Sequence, residues 1–271
     1  MSQAIHGVRH IIAVASGKGG VGKSTTAMNL AVALSVQGLK VGLLDADVYG
    51  PSMPRMMGLQ NNPPSSEDGK TIDPAVAHGV KVMSMGFLVD EDTPMVWRGP
   101  MVQSALRQML FEVTWAPLDV LVLDMPPGTG DTQLSVAQAV PLSGAVIVST
   151  PQDIALLDAR KGLNMFRKVG VPILGMVENM SMFICPDCGH EAHIFSHKGA
   201  EKAAEELKVP FLGALPLDLD IREKSDSGKP LVIHAPDSTP AKIYREIAQK
   251  VSDALSAGEE AATGPVKIVI E

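Results

Sequence analysis

Cysteine, aromatic residues, long apolar runs and positive charge are all scarce in this sequence. Two cysteines among 271 residues exclude a disulfide framework and favour a reducing, cytoplasmic location. Aromatic residues make up 4%, and no apolar run approaches the roughly 18 residues that a membrane span needs. The formal net charge of -7 argues against a broad basic surface. These scarcities exclude a membrane-spanning protein and disfavour a nucleic-acid or membrane-surface partner.

The sequence does contain a recurring alternation of strand-like and helix-like segments. Hydrophobic residues make up 45% of the chain, which at this length is enough for a full core. Short β-branched runs followed by segments of helical periodicity are typical of a mainly parallel sheet covered by helices on both faces. Strands are predicted at 10–15, 41–45, 118–124, 144–149, 171–177 and 211–215, and helices at 25–36, 103–112, 132–140, 154–169, 198–207 and 240–256. The predicted fold class is α/β.

No composition shift or internal repeat divides the chain. The polar stretch 60–70, with two prolines and two serines, is predicted to be a loop. Small and acidic residues from 257 onward predict a loosely held tail. We therefore predict one α/β domain over residues 1–256, with a cysteine-containing loop at 180–197, followed by a C-terminal tail at 257–271.

A glycine-rich segment between the first predicted strand and helix matches G-x-x-x-x-G-K-[ST]. In such a P-loop the glycines let backbone N–H groups curl around a β-phosphate, and the helix N-terminus adds the positive end of its dipole. Lys23 is expected to neutralise the β- and γ-phosphate oxygens, and the Ser24 hydroxyl to ligate Mg²⁺. The predicted nucleotide-binding residues of this segment are Gly17, Lys18, Gly19, Gly20, Val21, Gly22, Lys23, Ser24 and Thr25.

Acidic residues stand at the ends of two predicted strands. Asp45 and Asp47 close the second strand, and Asp124 closes the apolar strand 118–124. Because the carboxyl ends of parallel strands meet at one edge of a sheet, these side chains are expected to lie together. Asp124 fits the Walker B position, which holds Mg²⁺ through water. Two interpretations are equally open for Asp45, a role in this magnesium and phosphate site and a helix cap or turn.

Asn179, Pro216 and Asp218 follow two further strands on the same expected edge. An asparagine amide can both donate to and accept from a purine edge. An asparagine just after a strand is also typical of a turn. From the residues alone, both interpretations of Asn179 stay open.

The two cysteines, Cys185 and Cys188, have the C-x-x-C spacing that lets two thiolates face one metal. Two ligands do not close a tetrahedral site, so three completions are open. A two-fold axis would bring four thiolates together around a [4Fe-4S] cluster. His190 and His193 could instead complete a zinc site, although in a very tight loop. The third completion is a metal-free redox disulfide, although the motif does not open a helix as in thioredoxins.

The second lysine of the P-loop carries a family resemblance. The segment 17–24, with Lys18, resembles the deviant Walker A motif of the MinD, ParA and nitrogenase iron protein class. The resemblance implies an ATPase that works as a homodimer, in which Lys18 reaches the phosphates bound by the partner subunit. It also implies that Asp47 activates the attacking water and that 124–131 forms a second switch. The adenine contacts that it implies are Asn179, Pro216 and Asp218.

A narrower resemblance covers most of the chain. The segments 97–100, 177–181, 185–189, 194–195 and 213–218 resemble the Mrp-like (ApbC-type) iron-sulfur carrier ATPases. This family implies a slow, switch-like ATPase that carries a cluster between two subunits and passes it to apo-proteins. The cluster, expected to be [4Fe-4S], would be held by Cys185 and Cys188.

The same resemblance implies ATP and Mg²⁺ as cofactors. The predicted magnesium ligands are Ser24 and, through water, Asp47 and Asp124. Two alternatives remain: a MinD- or ParA-like positioning ATPase, and a nucleotide switch that carries zinc. The positioning role is disfavoured because the C-terminal end lacks the basic amphipathic character that a membrane-binding helix needs.

Overall fold

A computed structural model describes residues 2–88 and 99–263 of the chain. Its strands are β1 (Val8–Ala15), β2 (Val41–Asp45), β3 (Ala75–Ala77), β4 (Val80–Ser84), β5 (Leu118–Asp124), β6 (Gly144–Ser149), β7 (Ile173–Glu178), β8 (Phe183–Ile184), β9 (Glu191–Ala192) and β10 (Phe211–Ala214). Its α-helices are α1 (Lys23–Val36), α2 (Met53–Met56), α3 (Gly99–Phe111), α4 (Asp131–Ala139), α5 (Asp153–Lys168), α6 (Gly199–Glu206), α7 (Leu219–Asp226), α8 (Leu231–His234) and α9 (Thr239–Thr263).

Eight strands form one sheet in the order β10-β7-β6-β1-β5-β2-β4-β3. All neighbouring pairs are parallel except β3 with β4. The strands β8 and β9 form a separate hairpin. The predicted mainly parallel α/β fold is therefore confirmed.

The two faces of the sheet bury two separate hydrophobic clusters. Alternate residues of β1 point to opposite faces, so Ile12 and Val14 join one cluster while Ile11 and Ala13 join the other. Helices α1, α8 and α9 cover the first face, and α3 to α6 cover the second. This three-layer arrangement explains why the central strands are mostly apolar.

The element boundaries differ from the prediction in identifiable ways. Helix α1 begins at Lys23 rather than Thr25, because Gly22 already supplies the N-cap. Strand β7 begins at Ile173 rather than 171, after a proline that has no N–H group for the ladder. The short strands β3 and β4 were not predicted.

The predicted start of a loose tail at 257 is wrong, because α9 continues to Thr263. The Arg9 guanidinium donates two hydrogen bonds of 2.6 Å to the Glu259 carboxylate and so fastens this end of the helix to β1. Residues 264–271 of the predicted tail, and Trp97 and Arg98 of the family pattern, lie outside the described residues. None of the helices in the described ranges has the length and apolar character needed to cross a membrane.

Candidate functional site

The P-loop follows β1 and leads directly into α1. Gly22 adopts φ +81°, and a Cβ there would lie 2.0 Å from the Asn179 amide nitrogen. A Cβ on Gly17 would lie 2.1 Å from the backbone of Asp158 in α5. Glycine is therefore required at both positions, once for its left-handed conformation and once for close approach. The loop is fixed against the rest of the site by a 2.9 Å hydrogen bond from Asn179 Nδ2 to the Val21 carbonyl.

The predicted carboxylates come together beside Lys23. Strand register pairs Asp45 of β2 with Asp124 of β5. The Lys23 ammonium lies 2.5 Å from Asp124 Oδ1 and 4.0 Å from Asp47 Oδ2. It also donates to the Ser24 hydroxyl at 3.2 Å. The four residues that were predicted to meet phosphate and magnesium thus lie together at the carboxyl edge of the sheet, and all of them except the half-buried Ser24 are buried.

Two oxygens of this cluster fit a hydrated magnesium ion. Asp124 Oδ2 and Asp47 Oδ1 are buried and have no hydrogen-bond partner among the described residues. An unpartnered buried carboxylate oxygen is costly unless a cation or water satisfies it. Together with the Ser24 hydroxyl, they form an all-oxygen donor set of the kind that Mg²⁺ prefers.

Asp45 has a different environment from its two neighbours. It is fully buried and accepts hydrogen bonds from the Asp47, Ser52 and Met53 N–H groups and from the Ser84 hydroxyl, at 2.9 to 3.2 Å. These contacts fold the segment 45–53 around one carboxyl group. Of the two interpretations open for Asp45, the structure favours the turn and cap, which position Asp47.

The burial of Asp45 should make the stability of the protein depend on pH. Burial and then the charge of Asp124 raise the pKa of Asp45 from 3.8 to about 7. The unfolded chain releases the Asp45 proton at lower pH than the folded protein does. The contribution of Asp45 to stability is therefore fully present below the pKa of the unfolded chain, and it is lost as pH rises to about 7. Between the unfolded pKa and pH 7, the free energy of unfolding of wild type should fall by up to ~1.4 kcal/mol per pH unit relative to that of Asp45→Asn. Urea unfolding at several pH values measures this, and a difference independent of pH would contradict it.

The remaining P-loop residues have few side-chain contacts. Lys18 is half-buried, and among residues 2–88 and 99–263 its ammonium makes no hydrogen bond or ion pair. Gly19 and Gly20 are exposed, and Thr25 is half-buried at the start of α1. These positions leave the loop backbone and the Lys18 ammonium accessible.

The three predicted adenine contacts occupy different environments. Asn179 is buried against the P-loop, and Pro216 is buried after β10. Asp218 is the N-cap of α7, where its carboxylate accepts a 2.7 Å hydrogen bond from the Asp220 N–H group. A capping role accounts for Asp218 without a nucleotide.

Both cysteines lie in the turn of the β8–β9 hairpin. The Cys185 N–H group donates to the His190 carbonyl, and the Gly189 N–H group donates to the Cys185 carbonyl, both at 2.9 Å. N–H groups of Cys188 and Asp187 favour the thiolate and lower the pKa of Cys185. Cys185 is half-buried and Cys188 is exposed, so two reduced sulfurs are accessible in one turn.

The neighbouring histidines do not complete a metal site with these sulfurs. His193 faces the Glu191 carboxylate at 3.4 Å through Nε2 and the Ser181 carbonyl at 3.3 Å through Nδ1. Its ring also lies 4.0 Å from that of His197, measured between centroids. In the part of the chain that the structure describes, no three His, Cys, Asp or Glu residues could hold a metal ion. The local zinc alternative is therefore disfavoured.

Two buried polar residues of the site were not among the site residues predicted from the sequence. Gln133 of α4 donates to the carbonyls of Pro126, at 2.6 Å, and of Ser16, at 3.4 Å, and so joins the predicted second switch to the end of β1. Glu178 ends β7 beside Asn179, and its side chain is buried. The sequence signals for Glu178 are its charge at the end of an apolar strand and its place in the family segment 177–181.

Comparison with known proteins agrees with this geometry. A family model described as "ParA: NUBPL iron-transfer P-loop NTPase" matches residues 7–252. The chain is 57% identical over 248 residues to the "Iron-sulfur cluster carrier protein" of Escherichia coli K12, covering 92% of this chain and 67% of that protein. It is 58% identical over 258 residues to the mouse "Iron-sulfur cluster transfer protein NUBPL", covering 94% and 81%.

Solved structures show the same fold. A nucleotide-binding protein of Archaeoglobus fulgidus, in complex with ADP, is 40% identical with a TM-score of 0.73, covering 82% of this chain and 87% of that one. The cell division ATPase MinD of Pyrococcus furiosus is 25% identical with a TM-score of 0.69, covering 90% and 98%. The family match, the close relatives and the P-loop geometry agree, and the chain belongs to the NUBPL iron-transfer P-loop NTPases of the ParA type.

Proposed function

We propose that this protein is an ATP-hydrolysing iron-sulfur cluster carrier that acts as a homodimer in the cytoplasm. Each subunit would supply Cys185 and Cys188 to one shared cluster, which is then passed to apo-proteins. The observation that carries the proposal is the accessible pair of cysteines in the hairpin, with no third ligand among the described residues. The names of the close relatives support the choice of cargo.

The hairpin has the surroundings that a shared cluster needs. Two thiolates from each of two copies would give the four-cysteine ligation of a [4Fe-4S] cluster. The apolar side chains of Phe183, Ile184 and Ile194 are exposed beside the cysteines. Contact with a second copy would cover these side chains and limit the access of water to the cluster.

The nucleotide edge supports ATP hydrolysis. The P-loop backbone and Lys23 would bind the phosphates, while Asp47 would orient a water for attack on the γ-phosphorus. That attack breaks the bond to the bridging oxygen and gives ADP and inorganic phosphate. A magnesium ion held by Ser24 and, through water, by Asp47 and Asp124 would neutralise charge on the phosphate oxygens. Asn179 and Pro216 would contact the adenine, whereas Asp218 already accepts a hydrogen bond as the N-cap of α7.

Anaerobic reconstitution with iron and sulfide tests the proposal. Wild type should bind roughly four irons and four sulfides per dimer, and Cys185→Ala/Cys188→Ala should bind none. His193→Ala/His197→Ala is the matched control, since it changes two neighbouring side chains that the cluster does not need. Metal and sulfide analysis, absorbance and mass in solution are the measurements.

Two results would contradict this proposal. One zinc per monomer without sulfide would indicate a zinc-bearing switch. No metal that depends on the cysteines would indicate a nucleotide switch of the positioning type.

A further inference from the structure

A short segment joins the nucleotide edge to the cysteine hairpin. Residues 178–182, here called the connector, run from the last residue of β7 to the start of β8. On the nucleotide side, Asn179 donates through its side chain to the Val21 carbonyl at 2.9 Å and through its backbone to the Ser149 carbonyl at 2.8 Å. The first half of the connector is thus fixed to the P-loop and to β6.

The Glu178 carboxylate holds the connector together. Its side chain is 1% exposed, and both of its oxygens are used. Oε2 accepts a 2.6 Å hydrogen bond from the Ala200 N–H group at the start of α6, and Oε1 accepts the hydroxyl hydrogen of Ser181. A buried carboxylate is stable only with such donors, and hydrogen bonds to a charged group are about twice as strong as neutral ones.

The second half of the connector holds the hairpin. The Ser181 N–H group donates to the Leu215 carbonyl at 2.9 Å, and the Leu217 N–H group donates to the Met182 carbonyl at 2.7 Å. Between the two halves, Met180 has a left-handed φ of +57°. A non-glycine residue in this conformation is strained and needs surrounding contacts to hold it. The Glu178–Ser181 hydrogen bond spans this residue.

Within the described part of the chain, the predicted switches lack a comparable link to the hairpin. Among residues 2–88 and 99–263, no hydrogen bond joins 183–192 to Asp47 or to 124–131. We infer that the Glu178–Ser181 hydrogen bond is the positioning contact through which nucleotide in the P-loop sets the position of the cysteine hairpin. This inference rests on the proposed function, because it explains how nucleotide and cluster could be coupled.

Amide hydrogen exchange of the cluster-free protein tests the inference without relying on the cargo. In wild type, a non-hydrolysable ATP analogue with Mg²⁺ should slow exchange across 183–192 by about threefold or more relative to no nucleotide, because Asn179 is then held more firmly. In Ser181→Ala the ratio of the exchange rate without the analogue to the rate with it should fall to about one. The nucleotide Kd should stay unchanged within about twofold. Glu178→Gln keeps an acceptor for Ala200 and a donor for Ser181, and should retain roughly half of the response.

Ser225→Ala is the matched control, because it also removes a buried hydroxyl that donates a hydrogen bond, in this case to the backbone carbonyl of Ile221. It should keep the wild-type ratio. A nucleotide response in Ser181→Ala equal to wild type would overturn the inference, and so would a wild type that shows no response. Exchange across 183–192 in Ser181→Ala that is faster than in nucleotide-free wild type, both with and without nucleotide, would assign the serine a purely structural role and would also overturn the inference.

Loss of iron from reconstituted protein to a chelator, with and without the analogue, separates this inference from the proposed function. If wild type binds no cysteine-dependent cluster, the proposed function fails while the exchange measurement still decides the coupling. If wild type binds the cluster but Ser181→Ala keeps the nucleotide effect on iron loss, only the inference fails.

Discussion

Replacing Lys18 with alanine is expected to lower kcat for ATP hydrolysis by about 10²- to 10³-fold while the nucleotide Kd changes by less than about threefold. The Lys18 ammonium makes no hydrogen bond or ion pair within the described part of its own chain, so it is available to phosphates bound by a second copy. A cation supplied in this way acts mainly on the charge that develops in the transition state. Steady-state hydrolysis and nucleotide titration are the measurements, and Lys70→Ala, an exposed loop lysine, is the control.

Mixed dimers test whether Lys18 acts across the interface. A dimer of one Lys18→Ala chain and one Lys23→Ala chain has one site with both lysines intact and one site with neither. An equal mixture should therefore recover roughly a quarter of wild-type activity, although each variant alone is inactive. No recovery in the mixture, or an unchanged kcat in Lys18→Ala, would show that the lysine does not act on the partner's nucleotide.

The second large effect is expected for Asp124→Asn. Asp124 Oδ1 lies 2.5 Å from the Lys23 ammonium, and its other oxygen is buried with no hydrogen-bond partner among the residues that the structure describes. An amide at this position keeps the shape but removes the charge that would hold hydrated magnesium. We expect kcat to fall by about 10²-fold or more, and Mg²⁺ to lose its effect on nucleotide affinity.

The same variant should change the titration of its neighbour. The charge of Asp124 helps to raise the pKa of Asp45, so its removal should move the pH window in which Asp45 affects stability to lower pH. The control is Asp119→Asn, which changes a carboxylate on the same strand that accepts a hydrogen bond from the Lys40 backbone. Hydrolysis above about a tenth of wild type in Asp124→Asn would remove Asp124 from the magnesium site.

The sequence predicted the parts of this molecule that local pattern determines. Strands such as β6, which is apolar except for its terminal serine, were predicted because burial on both faces gives a continuous apolar run. Strand β3 was missed because it has three residues and lies at the edge of the sheet, and β4 was missed because Lys81 interrupts its apolar run. The end of α9 was misplaced because the contact between Arg9 and Glu259 joins residues far apart in the chain.

The candidate site also has parts that the sequence predicted and parts that it did not. Spacing alone predicted the P-loop and the cysteine pair, since each motif lies within one short segment. The distinct environments of Asp45 and Asp47 depend on how 45–53 folds around a carboxyl group, and no spacing rule contains that information. Glu178 became visible only when the start of α6 was placed against the end of β7.

The contact between Arg9 and Glu259 also has a practical consequence for labelling. Arg9 lies near the start of β1, whereas the P-loop follows its other end, roughly 20 Å away at the rise of an extended strand. Both ends of the described chain therefore lie near the edge of the sheet that is opposite the nucleotide. Fluorophores or surface tethers attached there would leave the nucleotide edge clear, so subunit exchange could be followed without interfering with ATP.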